Sequence, residues 1–247
     1  MIDYTKDVSK SQSQYEEGLR SYMLRIYNYM AAALCVSGIM GVLALTFSPL
    51  TNLLYQINSA GQITTSPVGM IVFLAPLGIS IYFMFNIGKI QLKTAQTLFW
   101  VYASLMGLSL SYIGFVYSLH SILRTFFITA SVFAATSIYG HQTKKDLTNL
   151  GSFLMMGLIG IIIASLVNMF FKSSALDFAV SFIGVFIFIG LIAWDTQKLK
   201  QIYRAYANTS AEMGEKMAIV GAFTLYLDFI NLFLHLLRFF GTSKNNN

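Results

Sequence analysis

Seven stretches of this chain are so apolar, and so nearly the length of a bilayer crossing, that they leave the backbone one way to satisfy its hydrogen bonds. They run from Tyr27 to Phe47, Val68 to Ile87, Ala95 to Tyr117, Leu123 to Tyr139, Gly151 to Phe171, Asp177 to Trp194 and Met217 to Phe240. About 20 apolar residues cross the hydrocarbon core as a helix, and in lipid every N–H and C=O must be paired within the segment. The expected fold is therefore an all-α membrane protein with seven transmembrane helices, the fourth and sixth being the shortest. Composition agrees: 56% of the 247 residues are hydrophobic and 11% charged, with a mean hydropathy of +0.64, whereas a soluble domain carries about 25% charged residues. Little sequence remains for a separate soluble domain.

Three regions follow: a polar segment over residues 1–26, the helical domain over 27–241 and a short polar tail over 242–247. The first carries Asp3, Asp7, Glu16 and Glu17 beside Lys6, Lys10, Arg20 and Arg25, which is no signal peptide. Lys and Arg then set the orientation. Twelve fall on one side, in the N-terminal segment (Lys6, Lys10, Arg20, Arg25) and the even-numbered loops (Lys89, Lys93, Lys144, Lys145, Lys198, Lys200, Arg204, Lys216). Four fall on the other, Arg124, Lys172, Arg238 and Lys244. The N-terminus is expected in the cytoplasm and the C-terminus outside. The net charge of +6 thus reflects topology and anionic lipid rather than nucleic acid. One cysteine, Cys35, gives neither a disulfide framework nor a thiol cluster for a metal, and is expected to be a small core residue.

Small residues recur every fourth position at Ala33, Ser37 and Gly41 and again at Ala103, Gly107 and Ser111, a spacing that packs helices closely in lipid. Pro76 lies inside the second helix and should kink it or free a carbonyl. Lys244 to Asn247 reads as a frayed tail.

Chemistry is concentrated in two acids. Asp228 stands inside FTLYLDFINLFLHLLRFF, Phe223 to Phe240, and Asp195 closes the preceding apolar run. A carboxylate at the bilayer centre costs several kcal/mol and normally faces a bundle interior on an ion or proton path. Asp228, Asn231 and His235 share one helix face, a polar stripe opposite Phe229, Phe233 and Phe240; Asn231 and His235 are candidates to line a pore. His235 alone reads as a hydrogen-bonded packing residue, and Arg238 as a side chain reaching the outer interface. Asp195 sits toward a helix C-terminus, where the macrodipole disfavours an anion, so it needs a proton or a cation, and Lys198 at i+3 is one candidate. Counting about 1.5 Å per residue from the interface places Asp195 about 13 Å deep and Asp228 about 18 Å, a difference that helix tilt absorbs. Two such carboxylates should share a proton or hold a cation. Calcium suits oxygen ligands but takes six to eight of them, so waters or carbonyls must supply the rest.

TLYLDFINLFLHLLRFFG (Thr224 to Gly241) resembles the Bax inhibitor-1-like, or transmembrane Bax inhibitor motif, family. WDTQKLKQI (Trp194 to Ile202), HQTKKDLTNLGSFL (His141 to Leu154) and GLSLSYIG (Gly107 to Gly114) carry the resemblance further. It implies seven helices with the last one central between two three-helix layers. It also implies a pH-sensitive calcium leak channel of a bacterial inner membrane gated by an aspartate pair, matching Asp195 and Asp228. A basic residue between the second and third helices latches the first aspartate in such relatives; Lys93, then Lys89, are the candidates here, where an arginine would be expected. Lysine makes no bidentate contact, so the latch should be weaker.

A proton-regulated calcium leak is therefore the first expectation, with no enzymatic activity, no cofactor beyond calcium as bound or permeant ion, and lipid, protons and calcium as partners. An intramembrane aspartyl protease also uses two aspartates on the sixth and seventh helices, but Asp228 follows Tyr226 and Leu227 rather than a Gly-x-Gly turn, and the only prolines are Pro49, Pro67 and Pro76. A non-transporting modulator of a stress-response or membrane-protease complex is the alternative, with Met1 to Arg20 as its handle for a membrane protein partner.

Overall fold

The computed structural model describes residues 4–59, 61–86, 89–206 and 210–244. Asp3, Ile87 and Asn245 to Asn247 lie outside them, as do the side chains of Lys6, Asp7 and Lys10. The elements in order are α1 (Tyr4–Thr46), α2 (Ser48–Leu54), β1 (Tyr55–Ile57), β2 (Ile63–Thr65), α3 (Pro67–Asn86), α4 (Leu92–Leu110), α5 (Ile113–Val116), α6 (Leu119–Gln142), α7 (Thr148–Phe171), α8 (Ser174–Tyr206) and α9 (Ala211–Phe240). Seven helical stretches among the described residues are long and apolar enough to cross a membrane, one for each apolar run. Their outward side chains need lipid: Phe170 and Phe171 are 79% and 77% exposed, which in water would be a large aggregating surface.

Helix ends depart from the ends of the apolar runs. α1 begins at Tyr4 and α8 continues to Tyr206, because hydropathy reports where lipid ends and not where backbone hydrogen bonding ends. Asp195 therefore does not close its helix. About three further turns follow it, and the argument from an unfavourable helix terminus does not apply. The run ending at Tyr117 is broken after Leu110, and the long loop from Ser48 folds into α2 and an antiparallel hairpin pairing Tyr55 with Thr65 and Ile57 with Ile63.

The helices group into two compact units. In the unit of residues 29–122 and 242–247, the two small-residue rows meet each other. Ser37 Oγ donates to the Ala103 carbonyl at 2.7 Å, and Gly107 lies so near the Ser37 backbone that no Cβ would fit. Cys35, expected in the core, is exposed: it falls two residues from both Ala33 and Ser37, and so on the far side of α1. Pro76 leaves the Val72 carbonyl without its helical donor, and Ser109 Oγ of α4 supplies one at 3.2 Å while also bonding Leu105 O at 2.9 Å. The tail is tied down as far as Lys244 rather than frayed. Ser118 N donates to Thr242 O at 3.0 Å, Thr242 N donates to Ser121 Oγ at 3.2 Å, and the Lys244 ammonium donates to Gly114 O.

The other unit holds residues 1–28 and 123–241. Ser210 caps α9 by accepting from Met213 N at 3.3 Å, a standard use of serine before a helix. α9 is the most enclosed of the seven spans, 67% buried where the others range from 17% to 39%. On its phenylalanine face Phe229 and Phe233 are buried while Phe240 at the helix end is exposed, and Phe229 packs at 5.5 Å and 5.7 Å between Phe126 and Phe133 of α6.

Candidate functional site: a buried carboxyl pair

Asp195 on α8 and Asp228 on α9 are 7% and 6% exposed, and their carboxyl groups lie close enough to interact. Two carboxylates offer only acceptors, so this close, buried pair repels when both acids are ionised. Asp228 Oδ2 is buried with no hydrogen-bond partner, a costly condition for a polar atom. The pair offers an oxygen in want of a donor or a cation.

Lys198 does not neutralise Asp195 directly. Its ammonium lies 4.8 Å from the centroid of the Trp194 ring, a cation–π contact, and forms no ion pair within 4.0 Å of a carboxylate among the described residues. Asp195 instead stands on a segment fastened to its neighbours. Gln197 Nε2 donates to Lys145 O at 2.7 Å and its Oε1 accepts from Leu147 N at 2.8 Å, so one amide fixes the α6–α7 connection to α8. The Lys200 ammonium donates to His141 O, and at Gly140 the backbone of α6 touches Ala193 closely enough to exclude a Cβ. Beside Asp195, Thr196 Oγ1 bonds Ser137 Oγ at 3.0 Å, and Ser137 bonds the Tyr27 hydroxyl at 2.6 Å. In the α6–α7 connection Asp146 accepts from Thr148 Oγ1 at 2.6 Å and Thr148 N at 2.9 Å. Those donors hold its carboxyl below the usual carboxylate range.

Farther along α9, Asn231 Nδ2 donates to Leu227 O of its own helix at 2.8 Å. His235 lies 5.5 Å from Phe188 with the rings nearly parallel at 30°. It packs as expected, but its Nδ1 is buried without a partner, so the hydrogen bond anticipated for it is not formed. Arg238 is exposed and pairs with Asp177 of α8 at 3.0 Å while also donating to Ser181 Oγ at 3.2 Å. Lys89 and Lys93 are exposed residues of the other unit. Among the described residues no group of three or more His, Cys, Asp and Glu gathers as for a metal ion, so a cation here would meet two carboxylates only.

Sequence reasoning missed Gln197, the Tyr27–Ser137–Thr196 hydroxyl chain and Asp177 as the partner of Arg238. Isolated polar residues in apolar helices carry no periodic signal, and a partner 59 residues distant, as Ser137 is from Thr196, is set by packing alone.

Seven apolar helices define a multi-pass α-helical membrane protein with two acids buried side by side on its last two helices. The chain belongs to the family described as inhibitor of apoptosis-promoting Bax1, whose family model matches residues 19–246. It is 41% identical over 237 residues to the inner membrane protein YbhL of Escherichia coli, covering 96% of this chain and 97% of that one. An uncharacterized protein of Rickettsia prowazekii is 52% identical over 247 residues, 99% of this chain and all of its own length. One of Caulobacter vibrioides is 41% identical over 235 residues, covering 95% of this chain and 94% of that one.

Proposed function

We propose that this protein is a passive, proton-regulated cation leak for calcium, without enzymatic activity, in a bacterial inner membrane. Its gate is the pair Asp195 and Asp228. The N-terminus lies in the cytoplasm and the C-terminus outside, as the Lys and Arg distribution favours. The observation that supports the reading is the close approach of two buried acids, one of them with an oxygen that has no hydrogen-bond partner. While a proton is shared, the two acids hold each other and do not repel. Loss of the proton leaves two carboxylates that repel, and a divalent cation entering between them replaces the proton as the compensating charge. Waters and carbonyls complete its ligand set. Lys93, with Lys89 second, is the basic residue whose removal should raise the leak if it latches the closed form.

The test is calcium entry into liposomes holding purified protein and an entrapped indicator, measured across a pH series. Asp228→Asn preserves shape and removes the charge, and should lower the leak about tenfold or more, a barrier change of at least about 1.4 kcal/mol. Wild-type flux from a correctly inserted Asp228→Asn protein would remove the aspartate pair from the mechanism.

A further inference from the structure

The first turns of α1 carry a row of residues that the acid pair does not use. Tyr15, Gly18, Tyr22 and Arg25 recur at intervals of three, four and three, which is one face of a helix. All four meet the ends of the two helices that carry the acids. The Tyr15 ring lies 5.5 Å from Tyr203 of α8, and its hydroxyl accepts from Arg204 Nε at 3.3 Å. Gly18 sits directly under the Tyr203 hydroxyl, where a Cβ would collide with it. The Tyr22 ring is 5.3 Å from Tyr203, while its hydroxyl donates to Met217 O of α9 at 3.4 Å. Arg25 forms an ion pair with Glu215 of α9. Between these polar contacts, Met23 and Ile26 are buried.

We propose that this face of α1 is a clasp that ties the ends of α8 and α9 together and thereby positions Asp195 against Asp228. The inference rests on the aspartate-gate reading above. Tyr203 lies about two turns beyond Asp195 on α8, and Glu215 about 20 Å before Asp228 on α9, so the clasp grips both helices at the same end of the unit. The acid pair separates only if α9 shifts against α8. Around Asp195, α8 is already fastened to α6 and to the α6–α7 connection by Gln197, Lys200 and Gly140. The joint left for α1 to govern is therefore the one between α8 and α9. Contacts made in the paired state and lost in the separated one shift the population toward the paired state. The ion pair in the clasp is accessible, with Arg25 46% and Glu215 23% exposed at their side chains, so salt and charge reversal reach it.

The titratable and charged groups on the elements around the pair include Arg25 and Tyr27 on α1, His141 on α6, Lys198, Lys200 and Arg204 on α8, and Glu215, Lys216, His235 and Arg238 on α9. The decisive variants alter only Arg25 and Glu215 among them. Because the paired state holds the proton, weakening the clasp lets the pair part at a higher proton concentration. The midpoint of the leak therefore moves to lower pH.

The experiment uses the full chain in liposomes, with calcium as the probe ion. Arg25→Glu and Glu215→Arg should each raise the leak about two- to five-fold, the size expected of a partly exposed ion pair, and lower its pH midpoint. The combined reversal restores opposite charges and should return both readings toward wild type. Gly18→Leu, which wedges Tyr203 away, should raise the leak further; if it does not fold, the charge-reversal set still decides. Single reversals with wild-type rate and midpoint would overturn the clasp, as would a double reversal leakier than either single. Asp228→Asn is run beside them. If it alone abolishes the leak while the reversals are silent, the clasp fails and the gate stands; if it leaves the leak intact, the gate itself fails.

Discussion

Asp195 and Asp228 are one chemical unit, and their substitutions should behave as one. In the proposed gate the paired state binds one more proton than the separated, ionised state, so acid favours the pair and the calcium leak should rise as pH rises. In Asp195→Asn the amide donates to Asp228 with no proton required, and the repulsion that would drive separation is gone. The pH dependence of the leak should accordingly flatten, as a liposome pH series would register. The double substitution Asp195→Asn with Asp228→Asn should lose no more flux than the worse single one, since groups that share one interaction are not additive. Strictly additive losses, or a pH profile in Asp195→Asn that overlays wild type, would mean that the acids act separately. Lys93→Ala belongs to the same assay: an increased leak identifies a latch, and an unchanged one leaves Lys93 as an interfacial anchor.

Elements decide what the residues can reach. α8 holds Asp195 in place through Gln197, whose amide satisfies Lys145 O and Leu147 N at once. Gln197→Ala leaves Leu147 N without its partner in a buried site and Lys145 O without one in a partly buried site, at a cost of about 1–3 kcal/mol, visible as a lower melting temperature of the detergent-solubilised protein. Gln197→Glu should be worse for the Lys145 carbonyl, because a carboxylate has no donor to give it. Much at this scale was readable in advance. The four-residue rows on α1 and α4 name the faces that meet, and Pro76 names the carbonyl that needs a new donor. What could not be read is which donor it finds: Ser109 reaches Val72 only because α3 and α4 lie side by side.

For the whole molecule, seven spans and the twelve-to-four division of Lys and Arg predict opposite locations for the two termini. A reporter fused after Asn247 should register as external, and one placed between Tyr206 and Ser210 as cytoplasmic. Both on the same side of the membrane would refute the seven-span topology. The clasp adds a constraint at this scale. If residues 12–26 of α1 are bound to α8 and α9 in the resting protein, a protease added from the cytoplasmic side should cut there slowly in wild type and faster in Arg25→Glu.

By itself the sequence determined the solvent, the number of crossings, the small-residue seams and the two acids that matter, because each is a local property: hydropathy over about 20 residues, spacing within one helix, a charge where charge is expensive. It also placed limits wrongly where lipid and helix end at different residues, ending the sixth crossing at Trp194 where the helix runs on to Tyr206. Only the tertiary structure decided that Asp195 faces Asp228, that Lys198 turns to Trp194, and that α1 contacts α8 and α9. Those outcomes depend on relative helix rotation and tilt. These are fixed by packing between residues up to 195 positions apart, a distance over which no sequence periodicity carries information.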